Sequence, residues 1–252
     1  MYKIHEIKSG SITINAGSSS GSVTISHSLG YVPKFLVYED GQLFPSNVGC
    51  YATSSGIIIT KYLSSNYGED IYSVDNYWDS YFSRNTSFMV GDYDGSDSNG
   101  AMRFTGIGLT KSQSISSASI DVYVGVKGSG SGDLRQKVYG IDEDNTGEFS
   151  GDPLTRDKTS AVTEQTVSLP AATNYFGVNV KSQVEEIISR SGWSTGNALG
   201  FNFFDNGSPD DVFTYNSLTG YDDSAMSILR IIRNVSLTTN YKVVIFKDKI
   251  TD

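Results

Sequence analysis

The chain has 252 residues, enough for one large or two modest domains, and its 38% hydrophobic content suffices for a buried core. A net charge of −9 without any basic stripe repels a nucleic-acid backbone instead of neutralising it. One cysteine, Cys50, permits no intrachain disulfide and no zinc-type cluster, so it is expected to be a small semi-buried thiol without chemistry.

Twenty-six glycines, 16 tyrosines and 12 phenylalanines, with abundant Ser and Thr, favour short strands and turns, and an all-β protein is expected. Met1–Lys8 lacks the apolar run of a signal peptide, and no window approaches the length that spans a bilayer. The expectation is a chain made in the cytoplasm and released only by other means.

In chain order, Ile12 and Ile14, then Val23 and Ile25, alternate with polar residues across the Gly/Ser turn 16–21, which predicts a β-hairpin. Tyr31–Tyr38 is a further strand, entered through Gly30 and Pro33 and ended by the turn Glu39-Asp40-Gly41. Residues 57–62 form a β-branched strand. The polar runs 64–70 and 234–240 read as linkers. Between Tyr241 and Lys247 the apolar residues Val243, Val244, Ile245 and Phe246 have no hairpin partner nearby. Pairing them with strands before residue 63 satisfies their backbone groups.

Two of these segments carry a resemblance. Ser22–Tyr38 (SVTISHSLGYVPKFLVY) and Tyr241–Asp248 (YKVVIFKD) resemble a small β-domain that recurs in tailed-phage virion proteins. There the second motif directly follows the equivalent of 57–62. The resemblance implies a split domain, 1–66 plus 234–252, interrupted by an insertion, 67–233.

Within the insertion, Ala101–Ile107 and Ile115–Val124 are predicted strands joined by a polar turn into a sheet pair, with Ile120, Val122 and Val124 on one face. Val180, Val184, Ile187 and Ile188 fall at helical spacing over 180–190, and Gly192 is expected to stop that helix in a left-handed conformation before Trp193. The runs 102–107, 115–120, 184–199, 221–224 and 228–232 resemble a jelly-roll module of phage and secreted bacterial proteins, including carbohydrate-binding-like ones of the DNRLRE type. The fold expected is therefore all-β: a small β-sandwich-like domain split by a jelly-roll β-sandwich with one short helix.

Several groups invite chemistry. Asp92, Asp94, Asp97 and Asn99 share one glycine-rich loop, which reads as a calcium site or as a solvated turn. Asp142, Asp144 and Thr146 open like an EF-hand loop, but Pro153 stands at the closing position and a surface turn is expected. The adjacent acids Asp210-Asp211 and Asp222-Asp223 could in principle hydrolyse a glycoside, yet neighbouring acids on turns are ordinarily solvated. His5 and His27 lie in no nucleophile motif, and His27 is expected to pack or hydrogen-bond in the small domain. In the aromatic run 72–82, Tyr77, Trp78 and Tyr81 are candidate glycan contacts, whereas Trp193 is expected in the core.

The resemblances imply a non-enzymatic virion protein on the particle surface: capsid decoration, head fibre or spike, or tail tip or fibre. It would be made in the host cytoplasm and released on lysis. Its expected partners are other virion proteins, with a host surface glycan and further copies of the chain as additional candidates, and no nucleic acid or membrane. Calcium is the one candidate cofactor. The alternatives are a carbohydrate-binding module or lectin and, after it, a capsule-degrading glycosidase. The small split domain has too few residues to bury all its sheet faces, which makes an apolar patch there the expected contact surface.

Overall fold

A computed structural model describes residues 3–15, 18, 20–39, 42–43, 48–62, 69–78, 87–149, 152–217, 226–234 and 236–247. Among the described residues strands predominate, with one short helix, and the several antiparallel sheets include none closed into a barrel, so the protein is all-β. The chain divides into two compact units, 1–68 with 234–252 and 69–233.

Unit 1 has two sheets. One is ordered β1 (Lys3–Ile14), β19 (Leu237–Lys247), β3 (Lys34–Glu39) and β4 (Gln42–Leu43). The other is ordered β2 (Ser20–Ser26), β6 (Gly56–Tyr62) and β5 (Val48–Ala52). The C-terminal strand β19 lies between β1 and β3, with Tyr241 opposite Gly10 on one side and Glu39 on the other. Strand alternation sends Ile12, Ile14, Ile25, Val37, Ile57, Ile59, Val243 and Ile245 into a common core. Across that core, Lys61 Nζ is 2.8 Å from Glu39 Oε1, which also accepts from Tyr241 Oη at 3.2 Å.

Here the expected hairpin of β1 and β2 gives way to an arch. The two strands belong to different sheets, β1 pairing with β19 and β2 with β6. Their apolar residues face one another through the core, and the glycines permit a close approach: a Cβ on Gly21 would lie 2.9 Å from Thr13 O. Both expected linkers also shorten, because β19 begins at Leu237 and β7 (Glu69–Trp78) at Glu69. Cys50, on edge strand β5, is exposed where a semi-buried thiol was expected.

Unit 2 contains an eight-stranded antiparallel sheet: β14 (Lys158–Val167), β13 (Leu134–Ile141), β16 (Leu199–Asp205), β10 (Gly100–Phe104), β7, β18 (Ile228–Arg233), β11 (Ile115–Val124) and β15 (Asn174–Asn179). A four-stranded sheet orders β12 (Val126–Lys127), β17 (Phe213–Ser217), β8 (Ser87–Tyr93) and β9 (Ser96–Ser98). The long sheet curls until its end strands are tied by side chains. Thr163 Oγ1 donates to Asn179 O at 2.6 Å, and Gln165 Nε2 to Gly177 O at 2.8 Å. Phe88 of β8 meets Phe203 of β16 edge to face at 5.0 Å, inside a core that also holds Met102, Ile120, Val122, Val138, Val184 and Ile187.

Strands β10 and β11 share the long sheet but do not pair, since β7 and β18 stand between them. The segment joining them does contain a polar turn, with Gln113 N donating to Thr110 O at 3.1 Å, but that turn does not close a hairpin. Ile107 and Leu109 are fully buried, and Ile107 exchanges backbone bonds with Asn197 and Gly196, which anchors the segment away from a tight reversal. Helix α1 (Lys181–Ser189) buries Val184, Ile187 and Ile188, matching the periodicity. It ends at Arg190 in an extended conformation, and Gly192 has no positive φ. Glycine is required there for space instead, as a Cβ would stand 2.2 Å from Asp144 Oδ2.

Candidate functional site

In unit 1 the outer faces of both sheets remain open. On β5 and β6, Tyr51 and Tyr62 are 59% and 51% exposed, and Ile58 lies half-buried opposite Tyr51. The ring of Tyr62 lies 3.6 Å from where a Cβ on Gly49 would stand, so it leans over the space that this glycine leaves on β5. Ile4 and Ile7 of β1, 58% and 50% exposed, stand opposite Phe246 and Val244 of β19 on the other sheet.

Further along that second outer face, register sets Ser9 opposite Lys242 and Lys242 opposite Tyr38, with Ser11 opposite Asn240. Together with Gly10 and Tyr241 these residues line an open concavity of about 510 Å³. Small side chains on β1 beside a tyrosine and a lysine create the hollow.

Charge divides unevenly between the units. Unit 1 holds seven cationic against five anionic residues, net +2, and unit 2 twelve against twenty-three, net −11, which together give the −9 of the chain. His27 is buried in unit 1, with Nε2 3.1 Å from Thr53 O and Nδ1 accepting from Leu29 N at 3.3 Å, which gives the ring a structural task.

The calcium candidates lie around the β8–β9 hairpin, with Asp92 opposite Asp97, Asp94 in the turn and Asn99 just beyond. Asp92 Oδ1 accepts from Gly95 N at 3.1 Å and Asp211 N at 3.2 Å. Asn99 Oδ1 accepts from Asp205 N at 2.8 Å. Among the described residues no three His, Cys, Asp or Glu side chains converge as metal ligands. The side-chain oxygens of Asp92 and Asn99 thus cap backbone amides.

Asp142 and Asp144 grip Arg190, which donates to Asp142 Oδ1 through Nη1 and to Asp144 Oδ1 through Nε at 2.9 Å. The two carboxylates, Asp142 first, hold the guanidinium pKa above its ordinary value. Around them Asn145 Oδ1 accepts from Ala198 N, and Asn197 Nδ2 donates to the Asp144 carbonyl. This loop is a structural clasp beneath the end of α1. Asp211 Oδ1 accepts from Asp94 N and Oδ2 from Ser129 Oγ; Asp222 and Asp223 lie outside the described residues.

Of the glycan candidates, Tyr77 stands opposite Ala101 and Trp78 opposite Gly100 in the β7–β10 ladder, while Tyr81 lies outside the described residues. Trp193 is buried and donates from Nε1 to Leu109 O at 3.0 Å. The concavity of unit 1 escaped the sequence reading because Ser9, Ser11, Asn240 and Lys242 resemble ordinary surface residues until the pairing of β1 with β19 assembles them.

No family model matches the chain, and no curated protein matches it. Among solved structures, a chain from "Structure of infectious bursal disease virus Gx strain" is 10% identical, with 98% of this chain and 82% of that one covered. Its TM-score of 0.15 carries no structural argument.

Proposed function

We propose that the chain is a non-enzymatic surface protein of a tailed-phage particle, attached through unit 1 and presenting unit 2, read as a jelly-roll module, to the surroundings. The observation that carries this reading is where apolar surface is left open. Of nine exposed large hydrophobic residues among those described, Ile4, Ile7, Val32, Tyr51 and Tyr62 belong to unit 1, about a third of the chain. Exposed apolar clusters on small domains mark contact surfaces, and tyrosines are enriched at their centres. The Tyr51–Ile58–Tyr62 face is the attachment surface in this reading.

The segregated charge supports the same assignment. A unit at net −11 resists close contact with like-charged neighbours, whereas the unit at +2 does not. The motifs at 22–38 and 241–248, which resemble a virion domain, both fall in unit 1. Quantitative mass spectrometry of purified particles from the genome encoding the chain tests the reading. The wild type is expected in stoichiometric amounts, and a folded Tyr51→Glu/Tyr62→Glu variant is expected to be missing. Absence of the wild-type chain overturns the proposal.

A glycan-binding module is the second reading, favoured by the polar concavity of unit 1. A glycosidase is less supported, since Asp92, Asp142, Asp144 and Asp211 are engaged with backbone amides or Arg190.

A further inference from the structure

We propose that the concavity on the outer face of β1, β19 and β3 binds an acidic saccharide, with Lys242 meeting its carboxylate and Ser9, Ser11, Asn240 and Tyr38 meeting its hydroxyls and ring.

The first argument is that these polar groups are uncommitted. Among the described residues, none of the five side chains makes a hydrogen bond or ion pair. Their neighbours in the same unit do: Thr13 and Thr238, one step further along the same two strands, bond to each other at 3.0 Å, and Ser22 bonds to Thr60 at 2.8 Å. Lys8 donates to Ser26 O, and Lys61 pairs with Glu39. Hydroxyls that could pair across β1 and β19 do so next to the hollow and not within it.

The second argument is size and shape. Three adjacent strands about 4.8 Å apart and a two-residue step of about 6.8 Å give a grid roughly 10 Å by 7 Å. That is the footprint of one to two pyranose rings. A volume of about 510 Å³ lies within the range of small-molecule sites. The open, shallow form suits a ligand that lies on a sheet and remains partly hydrated.

The third argument is chemical. The lining offers two hydroxyls, an amide, a phenol and an ammonium, with a tyrosine ring against which a sugar face can rest. An apolar ligand would leave these groups without partners. A polyphosphate would meet only one cation, Lys242, and no helix N-terminus. Lys242 also has no carboxylate in the lining to oppose it, and Glu39, next to Tyr38 in sequence, is taken by Lys61 and Tyr241. A polyol with one negative charge fits this inventory.

The site does not depend on the attachment reading, whose contact face is on the other sheet. A chain that binds the sugar but is absent from particles keeps this site and loses that reading; a particle-borne chain that binds no sugar does the opposite.

The test is isothermal titration calorimetry, with saturation-transfer NMR, of the full chain against trigalacturonate and 3′-sialyllactose, with lactose as the neutral control. Either acidic probe is expected to bind with a Kd of about 0.1–1 mM, at least about 10-fold more tightly than lactose. Lys242→Gln is expected to weaken the acidic probe about 10-fold and leave the melting temperature unchanged, since Lys242 is exposed and unpaired. Ser11→Val is expected to weaken it several-fold. No binding of either acidic probe at about 10 mM overturns the proposal. So does equal affinity for lactose, or binding that Lys242→Gln leaves intact.

Discussion

A methyl group on Gly192 would lie 2.2 Å from Asp144 Oδ2, and Asp144 cannot easily retreat because Arg190 and Asn197 hold its carboxylate and its carbonyl. Gly192→Ala is expected to destabilise the protein by about 1–3 kcal/mol through overpacking. The Asp144→Ala/Gly192→Ala double variant should lose less than the sum of the two single variants. Urea unfolding of the four proteins measures this coupling, and strict additivity would refute it.

Trp193 is packed beneath α1 with its indole nitrogen on Leu109 O, to which Thr195 Oγ1 also donates at 3.2 Å. Trp193→Phe is expected to cost about 1–3 kcal/mol, and Thr195→Val alone less, because the stronger donor remains. Thermal melts of the two single variants and the double variant check this, with a more than additive loss predicted for the double.

The β8–β9 hairpin is predicted to ignore calcium. Asp92 already caps two backbone amides, so millimolar calcium should leave the melting temperature unchanged, while Asp92→Ala should cost about 0.5–2 kcal/mol by leaving those amides without the carboxylate. Differential scanning fluorimetry with calcium or EDTA decides, and a calcium-dependent rise in melting temperature would restore the metal reading.

Desolvation on the sheet surface raises the Cys50 thiol pKa above its ordinary value. A raised pKa means less thiolate at a given alkaline pH, so Cys50 should react with iodoacetamide more slowly than a free cysteine near pH 8 and catch up on unfolding. The same sign makes its contribution to stability complete below the ordinary thiol range and lost as pH rises through it. Alkylation rates followed by mass spectrometry across pH 7 to about 10 test the direction.

Gln136 is fully buried on β13, and neither atom of its amide finds a protein partner. Gln136→Met keeps the volume and removes the desolvated amide, and is expected to stabilise unit 2 by about 1–2 kcal/mol. Chemical denaturation measures it; a loss of stability would show that the amide is satisfied in solution.

What the sequence disclosed follows its periodicities. Alternation located β11 and the inward row Ile120, Val122 and Val124, and helical spacing located α1. Pairing was less legible. Ile12 and Ile14 with Val23 and Ile25 look the same whether two strands share a sheet or face each other across a core, and only the competition from β19 for the edge of β1 decides for the arch. Gly192 shows the same limit: its position after a helix was visible, but the reason for glycine lies 48 residues away at Asp144. The concavity depends on segments from opposite chain ends, so no local motif announces it.

Strand β19 occupies the middle of its sheet, and this bears on synthesis. A ribosome has finished β6 long before it begins β19, and at about 5–20 residues per second that interval lasts roughly 10 to 35 s. Unit 2 can fold in that time, while Ile12, Ile14 and Val37 wait without the strand that covers them. A prematurely terminated chain would keep the acidic unit but never add the strand that lies between β1 and β3. The order of translation therefore leaves the core of unit 1 open until the last strand emerges, when Val243 and Ile245 close over Ile12, Ile14 and Val37.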